Sequence, residues 1–170
     1  MTIWINTAFD SLPGEAGRPL RYAQLAEVLV SRGHHVVIWS SNWHHQKKAD
    51  RGLPMTYCQK GIEVRLIPTK PYYSNVGWAR WRSHAAYARE WEHLARESVA
   101  LGASWKPDWI LLAMPPLSLF SLAEGFRREW GSRLIVDVQD LWPETFYRLL
   151  PRGLRFLGKL IFYSAPLLSG

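Results

Sequence analysis

A chain of 170 residues, 48% hydrophobic and 21% charged, is long enough for one domain with a sizeable core and has the composition of a globular protein. Twenty-one Lys and Arg against 14 acids give a formal charge of +7, which favours a polyanionic partner: nucleic acid, a phosphate ligand or an anionic membrane surface. One cysteine, Cys58, excludes a disulfide framework and a zinc pattern and fits a reducing compartment; no run of about 18 apolar residues offers a spanning helix, and the N-terminus lacks the pattern of a signal peptide.

Taken in chain order, Thr2–Thr7 reads as a first strand and Phe9–Gly17 as a loop carrying Pro13, Gly14 and Gly17. Leu20, Ala23, Ala26, Val28 and Leu29 recur at near-helical spacing between Gly17 and Arg32, and Gly33 supplies the stop. His35–Ser40 is a second strand, Asn42–Pro54 a polar, basic loop, and Ile62–Ile67 a third strand closed by Pro68. Lys70–Gly77 is an aromatic loop, and Trp78–Leu101 a long helical pattern without Pro or Gly. A strand at Asp108–Met114, a helix at Leu117–Trp130 stopped by Gly131, and a strand at Arg133–Val138 follow. Two apolar-basic helical stretches, Thr145–Leu150 and Leu154–Tyr163, complete the pattern. Strands alternating with helices predict an α/β fold with a Rossmann-like, doubly wound, mainly parallel sheet, in one domain covering 1–170. No strand follows the last apolar segment, so the expectation is a domain of a longer protein or a natural fragment of one.

Ligands of such sheets bind at the carboxyl ends of the strands. Three segments fall there. Pro13-Gly14-Glu15-Ala16-Gly17-Arg18 joins the first strand to the first helix, where glycines let backbone N–H groups approach an anion and the helix dipole assists. An ordinary βα turn would need the same glycines, and the spacing is not the dinucleotide fingerprint. Asn42-Trp43-His44-His45 follows the second strand; adjacent histidines point apart, so no metal pair is expected, and His45 is the candidate for orienting a hydroxyl or phosphate, against a solvated loop. Asp137, Gln139, Asp140 and Glu144 follow the buried strand Leu134–Val138; they are candidates for a general base or a hydroxyl-binding group, against a helix cap at Asp140 and a helix-dipole role for Glu144.

The ten tryptophans and the basic charge raise a further question. Trp78, Arg80, Trp81 and Arg82 open the long helix, as in an interfacial helix with rings at the headgroup level and Arg towards phosphate. The same helix also places Trp78, Trp81, Ala85, Ala88 and Trp91 on one stripe that would face a core. No nucleic-acid motif is present.

The run Val136-Asp137-Val138-Gln139-Asp140-Leu141-Trp142-Pro143-Glu144 resembles the Asp-Leu-Trp-Pro-Glu signature of glycosyltransferase family 4 enzymes of the two-domain GT-B fold, in the branch acting on bacterial surface polysaccharides. Pro13-Gly14-x-x-Gly17-Arg18-Pro19, Leu25-Ala26 with Arg32-Gly33-His34, and the loop Ser40–His45 are similar as well. The resemblance covers essentially the whole chain and implies the N-terminal, acceptor-side domain, with the C-terminal nucleotide-sugar domain absent and the isolated domain inactive. It implies a retaining, metal-independent transfer from a nucleotide-sugar, as substrate rather than cofactor, to a polyprenyl-linked or glycan acceptor in surface-glycan (lipopolysaccharide) synthesis, in the cytoplasm at the inner face of the membrane. Gly14, Gly17 and Arg18 would lie near the donor diphosphate, Asp140 and Gln139 near the reacting acceptor hydroxyl. Many family members carry His or Arg where Gln139 stands; glutamine is no base at neutral pH, so the catalytic role falls to Asp140 or Asp137. The rivals are a non-catalytic membrane-surface or partner-binding module of the same shape, and a sugar-nucleotide epimerase or dehydrogenase, which would need an acid where Ser40, Ser41 and Asn42 stand.

Overall fold

A computed structural model describes residues 1–15, 21–73, 78–114 and 118–139, with the side chains of 78–81 excepted. Gly17, Arg18, Asp140 and Glu144, the side chains of Trp78, Arg80 and Trp81, and the two C-terminal helical stretches lie outside the described residues. The chain divides into two compact units, Met1–Asp137 and Val138–Gly170. The first carries the fold; Val138 and Gln139, both exposed, are the described part of the second.

The strands are β1 (Thr2–Asn6), β2 (His35–Ser41), β3 (Trp43–His44), β4 (Ala49–Asp50), β5 (Thr56–Gln59), β6 (Ile62–Ile67), β7 (Trp109–Met114) and β8 (Arg133–Val138); the helices are α1 (Arg21–Ser31), α2 (Trp78–Ala100) and α3 (Ser118–Trp130). One six-stranded sheet has the order β5-β6-β2-β1-β7-β8. β1 pairs in parallel with β2 and β7, and β2 in parallel with β6. The chain winds outward from β1 through β2 to β6, then crosses by α2 to β7 on the other side of β1. That reversal puts the topological switch point between the carboxyl ends of β1 and β7.

Both faces of the sheet are covered, so its central strands are apolar throughout. On one face α1 packs Tyr22 and Ala26 against Ile3, Ile5, Val36 and Ile38. On the other, α2 and α3 pack against Trp4, Val37, Trp39, Ile110 and Leu112. The buried positions of α2, namely Ser83, Tyr87, Ala88, Trp91, Ala95 and Ser98, recur every three or four residues. Trp4, Trp39, Trp91 and Trp130 form the centre of this core, with Trp4 edge-on to Trp39 at 5.2 Å and Phe126 stacked on Trp130 at 4.1 Å. Trp43 is also buried, and Trp105 and Trp109 are half-buried. The tryptophans whose side chains are described thus fill the interior rather than a surface, and on α2 the core-facing stripe holds at Ala88 and Trp91. Arg82 is exposed. Among the described residues no helix is long and apolar enough to cross a membrane.

The principal strands and helices stand where the sequence places them, within a few residues. The differences are three short strands. The polar loop after β2 folds into the β3–β4 hairpin, with Trp43 opposite Asp50 and His44 opposite Ala49. β5 pairs antiparallel with β6 through the two-residue turn Lys60-Gly61, whose φ values of 52° and 77° are those of a type I′ turn. A Cβ on Gly61 would lie 2.9 Å from Val30 of α1, so this glycine serves both the turn and the approach of the helix. α1 ends in a Schellman motif: Gly33 N–H donates to Val30 and His34 N–H to Leu29, with Gly33 at φ 79°.

Candidate functional site

Three groups of residues meet at the carboxyl edge of the sheet. The first is the loop after β1. Leu12 N–H donates to Glu15 Oε2 at 2.7 Å while Glu15 N–H donates to Leu12 at 3.1 Å, closing a reciprocal turn around Pro13 and Gly14. Gly14 has φ 92°, a backbone conformation that favours glycine. Arg51, just beyond β4, clamps this turn from below. Its Nη1 donates to both Glu15 carboxylate oxygens at 2.7 Å, its Nε to the Ser41 carbonyl at 2.7 Å and its Nη2 to the Asp10 carbonyl at 2.9 Å. Tyr57 on β5 donates to the Pro13 carbonyl at 2.9 Å. Burial, reinforced by the Glu15 charge, raises the Tyr57 hydroxyl to about 12. Burial and then the Arg51 charge lower His44, which therefore favours its neutral form and accepts the Lys47 N–H at 3.2 Å. The sequence flags Gly14 here but neither Glu15 nor Arg51, which are 36 residues apart in the chain.

The second group is the start of α1. Asp137, near the end of β8, accepts Tyr22 O–H at 2.5 Å and pairs with Arg21 at 3.0 Å. This contact carries the first turn of α1 across from β1 to β8, spanning the switch point. Gln139 is exposed beyond it. Asp137, singled out as a catalytic candidate, is thereby also an anchor for the helix that follows the glycine loop.

The third group lies on the α2 face, where β1, β2 and β6 end. Phe9, Thr69, Tyr72, Ser83, His84 and Tyr87 line most of a narrow recess with room for about one water molecule. Tyr72 O–H lies 2.6 Å from His45 Nδ1, and Phe9 sits with its ring centre 5.1 Å from both His45 and His84. Lys48 stands over the Tyr72 ring at 4.8 Å. At the back, Tyr87 O–H donates to Asn6 Oδ1 at 2.9 Å, both residues buried; burial raises the Tyr87 hydroxyl far above its ordinary range and keeps it protonated. His45 is thus placed beside the recess, against Phe9 and Tyr72. The sequence does not single out Asn6, Thr69 or His84; their one signal is a buried strand ending in Asn6-Thr7. Among the described residues no group of three or more His, Cys, Asp or Glu could hold a metal ion.

No protein-family model matches the sequence, and no curated protein does. Among solved structures, a sucrose-phosphate synthase from Thermosynechococcus elongatus matches with a TM-score of 0.59 at 12% identity, over 92% of this chain and 38% of that one. At this identity the likeness speaks for the fold alone, and the chain spans well under half of the synthase. The fold is the Rossmann-like, mainly parallel α/β sheet expected from the sequence, and part of that synthase shares it.

Proposed function

We propose that the chain is the acceptor-side half of a retaining glycosyltransferase. In this reading a nucleotide-sugar held by a second domain meets an acceptor held at the carboxyl edge of this one. The observation that carries the reading is the coincidence of a fold shared with a glycosyltransferase and a clamped glycine loop after β1 at that edge. Backbone N–H groups of the Gly14–Gly17 loop, the N-terminus of α1 and Arg18 would support the negative charge that develops on the leaving diphosphate. That chemistry needs no metal. Asp140, with Gln139 beside it, would approach the reacting acceptor hydroxyl, and Glu144 would favour the start of the following segment. His45 would orient the acceptor.

The acceptor we propose is a polyprenyl-linked sugar or a glycan in surface-polysaccharide synthesis, met at the inner face of the membrane, with Arg80 and Arg82 towards anionic headgroups and Trp78 and Trp81 at their level. The positive charge of the chain supports this location. The purely membrane-binding alternative loses part of its motive, because five of the ten tryptophans are buried in the core.

The test is transfer by the full polypeptide, offered a panel of nucleotide-sugars and a polyprenyl-diphosphate-linked sugar, with and without chelator. The reading expects product that keeps the donor's anomeric configuration, is indifferent to chelator, and drops at least a hundredfold in Asp140→Asn. Wild-type turnover in Asp140→Asn would remove that residue from the mechanism; failure of every donor would remove the transferase reading.

A further inference from the structure

An acid stands in the middle of the segment that the proposed reaction gives to a diphosphate: Glu15, between Gly14 and Gly17. Its charge would repel an anion there. The fold turns that carboxylate inward, 8% exposed, onto Arg51, whose side chain is 0% exposed. The negative charge is thereby cancelled, and Gly14 is left exposed with its N–H outside the bonds of the turn, which run between Leu12 and Glu15.

Arg51 does more than neutralise. Its three guanidinium nitrogens reach three places: Nε the Ser41 carbonyl at the end of β2, Nη2 the Asp10 carbonyl early in the loop, and Nη1 both Glu15 oxygens beyond Gly14. The guanidinium is planar and rigid, so these anchor points are held at fixed separations. Between them, Tyr57 of β5 holds the Pro13 carbonyl. A buried ion pair is a poor route to stability alone, since two well-packed apolar side chains of similar volume often do as well or better. Apolar side chains could not fix two main-chain carbonyls and a carboxylate relative to one another.

We infer that Arg51 is a positioning residue for the proposed transfer: without touching substrate, it sets the main chain between β1 and α1 for the leaving diphosphate and cancels the Glu15 charge that would oppose it. This rests on the transferase reading for the diphosphate. Charge on the leaving diphosphate grows through the transition state and is complete in the nucleoside diphosphate product. Arg51 should therefore act on kcat and on product inhibition and leave the acceptor KM alone.

Steady-state transfer by the full polypeptide tests this in wild type, Arg51→Lys and Arg51→Met/Glu15→Gln, with the nucleoside diphosphate of the active donor as inhibitor. Arg51→Lys keeps the charge but loses the planar fork; the double variant removes both charges and the anchors. With circular dichroism unchanged, each should lower kcat and weaken product inhibition at least about tenfold, at unchanged acceptor KM. Arg51→Met alone leaves the Glu15 charge uncancelled and should weaken inhibition further than the double variant does. A merely structural role would lower kcat through the active fraction and leave the inhibition constant where it is. Wild-type inhibition in a folded variant, an acceptor KM that rises as kcat falls, or a double variant inhibited no better than Arg51→Met would each overturn the inference. If Arg51→Lys unfolds the chain, the double variant alone is the test. Failure of every donor with the wild type removes the transferase reading instead. Calorimetric titration of UDP, GDP and ADP then separates the two: binding that weakens in Arg51→Lys keeps the positioning role, and no binding to wild type ends it.

Discussion

Arg51 and Glu15 meet in the interior, with side-chain exposures of 0% and 8%; Arg21 and Asp137 meet at the rim, with 59% and 29%. Both pairs sit at the carboxyl edge and both hold the connection between β1 and α1, one from the β2 side and one from the β8 side. The buried pair is fully hydrogen-bonded, since Arg51 also satisfies the carbonyls of Asp10 and Ser41 and Glu15 also accepts the Leu12 N–H. The rim pair is shared with water, and its firmest member is the Tyr22 hydroxyl. A charge taken out of water is strongly destabilising once its partner is removed, whereas an exposed pair is screened and nearly neutral. The two pairs therefore divide the work: the first fixes the shape of the glycine loop, the second sets where the helix behind it starts.

The largest effect is expected at the clamp. Arg51→Met leaves the Glu15 carboxylate buried without its counter-ion and should cost about 3–5 kcal/mol in urea unfolding. Combining it with Glu15→Gln should restore a good part of that loss, because the uncompensated charge goes. A single variant as stable as wild type would mean that water reaches Glu15, and the contrast with the rim pair would disappear.

Next come the pH limits, which belong to the clamp side alone. Tyr57 titrates at 10.0 when unfolded and at about 12 when folded, so between those values the unfolded chain has lost a proton that the folded chain keeps. Stability should be intact below pH 10 and fall as pH rises towards 12. Tyr57→Phe should flatten that limb at some cost at neutral pH, since the bond to Pro13 goes. His44 has the opposite slope. Its folded value lies below the ordinary 6.5, so the unfolded chain takes up a proton first, and stability should fall as pH drops below 6.5 through the folded value. Thermal unfolding across both limbs, with His44→Gln for the acid one, checks the two signs.

The comparison also shows what the sequence can carry. Apolar runs mark β1, β2, β6 and β7, and the spacing of Ala88, Trp91 and Ala95 marks the buried side of α2, because burial on one or both faces imposes those periods. β8, which reads as a buried strand in the sequence, is instead the edge of the sheet, with Ile135 and Val138 exposed. β5 stays hidden: Thr56, Cys58 and Gln59 are exposed, it has no apolar face to show, and Lys-Gly is a weaker turn signal than Asn-Gly. The β3–β4 hairpin is hidden for the same reason, with two residues to a strand. At the site, glycines and acids after strands are visible as types, and Gly14, His45 and Asp137 all lie at the expected edge. Arg51 and Glu15 are invisible because an Arg in a basic loop reads as solvated; only the fold brings it under Asp10 and Ser41. The recess is invisible for a similar reason, since Asn6, Thr69 and His84 are ordinary residues until β1, β6 and α2 are set side by side.

The smallest effects sharpen the rim. Tyr22→Phe removes a hydrogen bond to a partly exposed carboxylate and should cost about 1.5 kcal/mol. Arg21→Ala should cost no more than about 0.5 kcal/mol and nothing in high salt, since exposed pairs rarely do more. Asp137→Asn then separates anchoring from chemistry. An amide still accepts from Tyr22, so an anchor would tolerate it, with a stability change of about 1 kcal/mol and a few-fold change in transfer rate. A general base would not: losing its proton-accepting carboxylate should lower the rate by about a hundredfold or more at unchanged stability. The existing bonds of Asp137 favour the first outcome, because its Oδ2 is already engaged by both Tyr22 and Arg21. If the anchor outcome is found, the catalytic role in the proposed reaction passes to Asp140, and Asp137 keeps the part its geometry already shows, holding the start of α1 over the switch point.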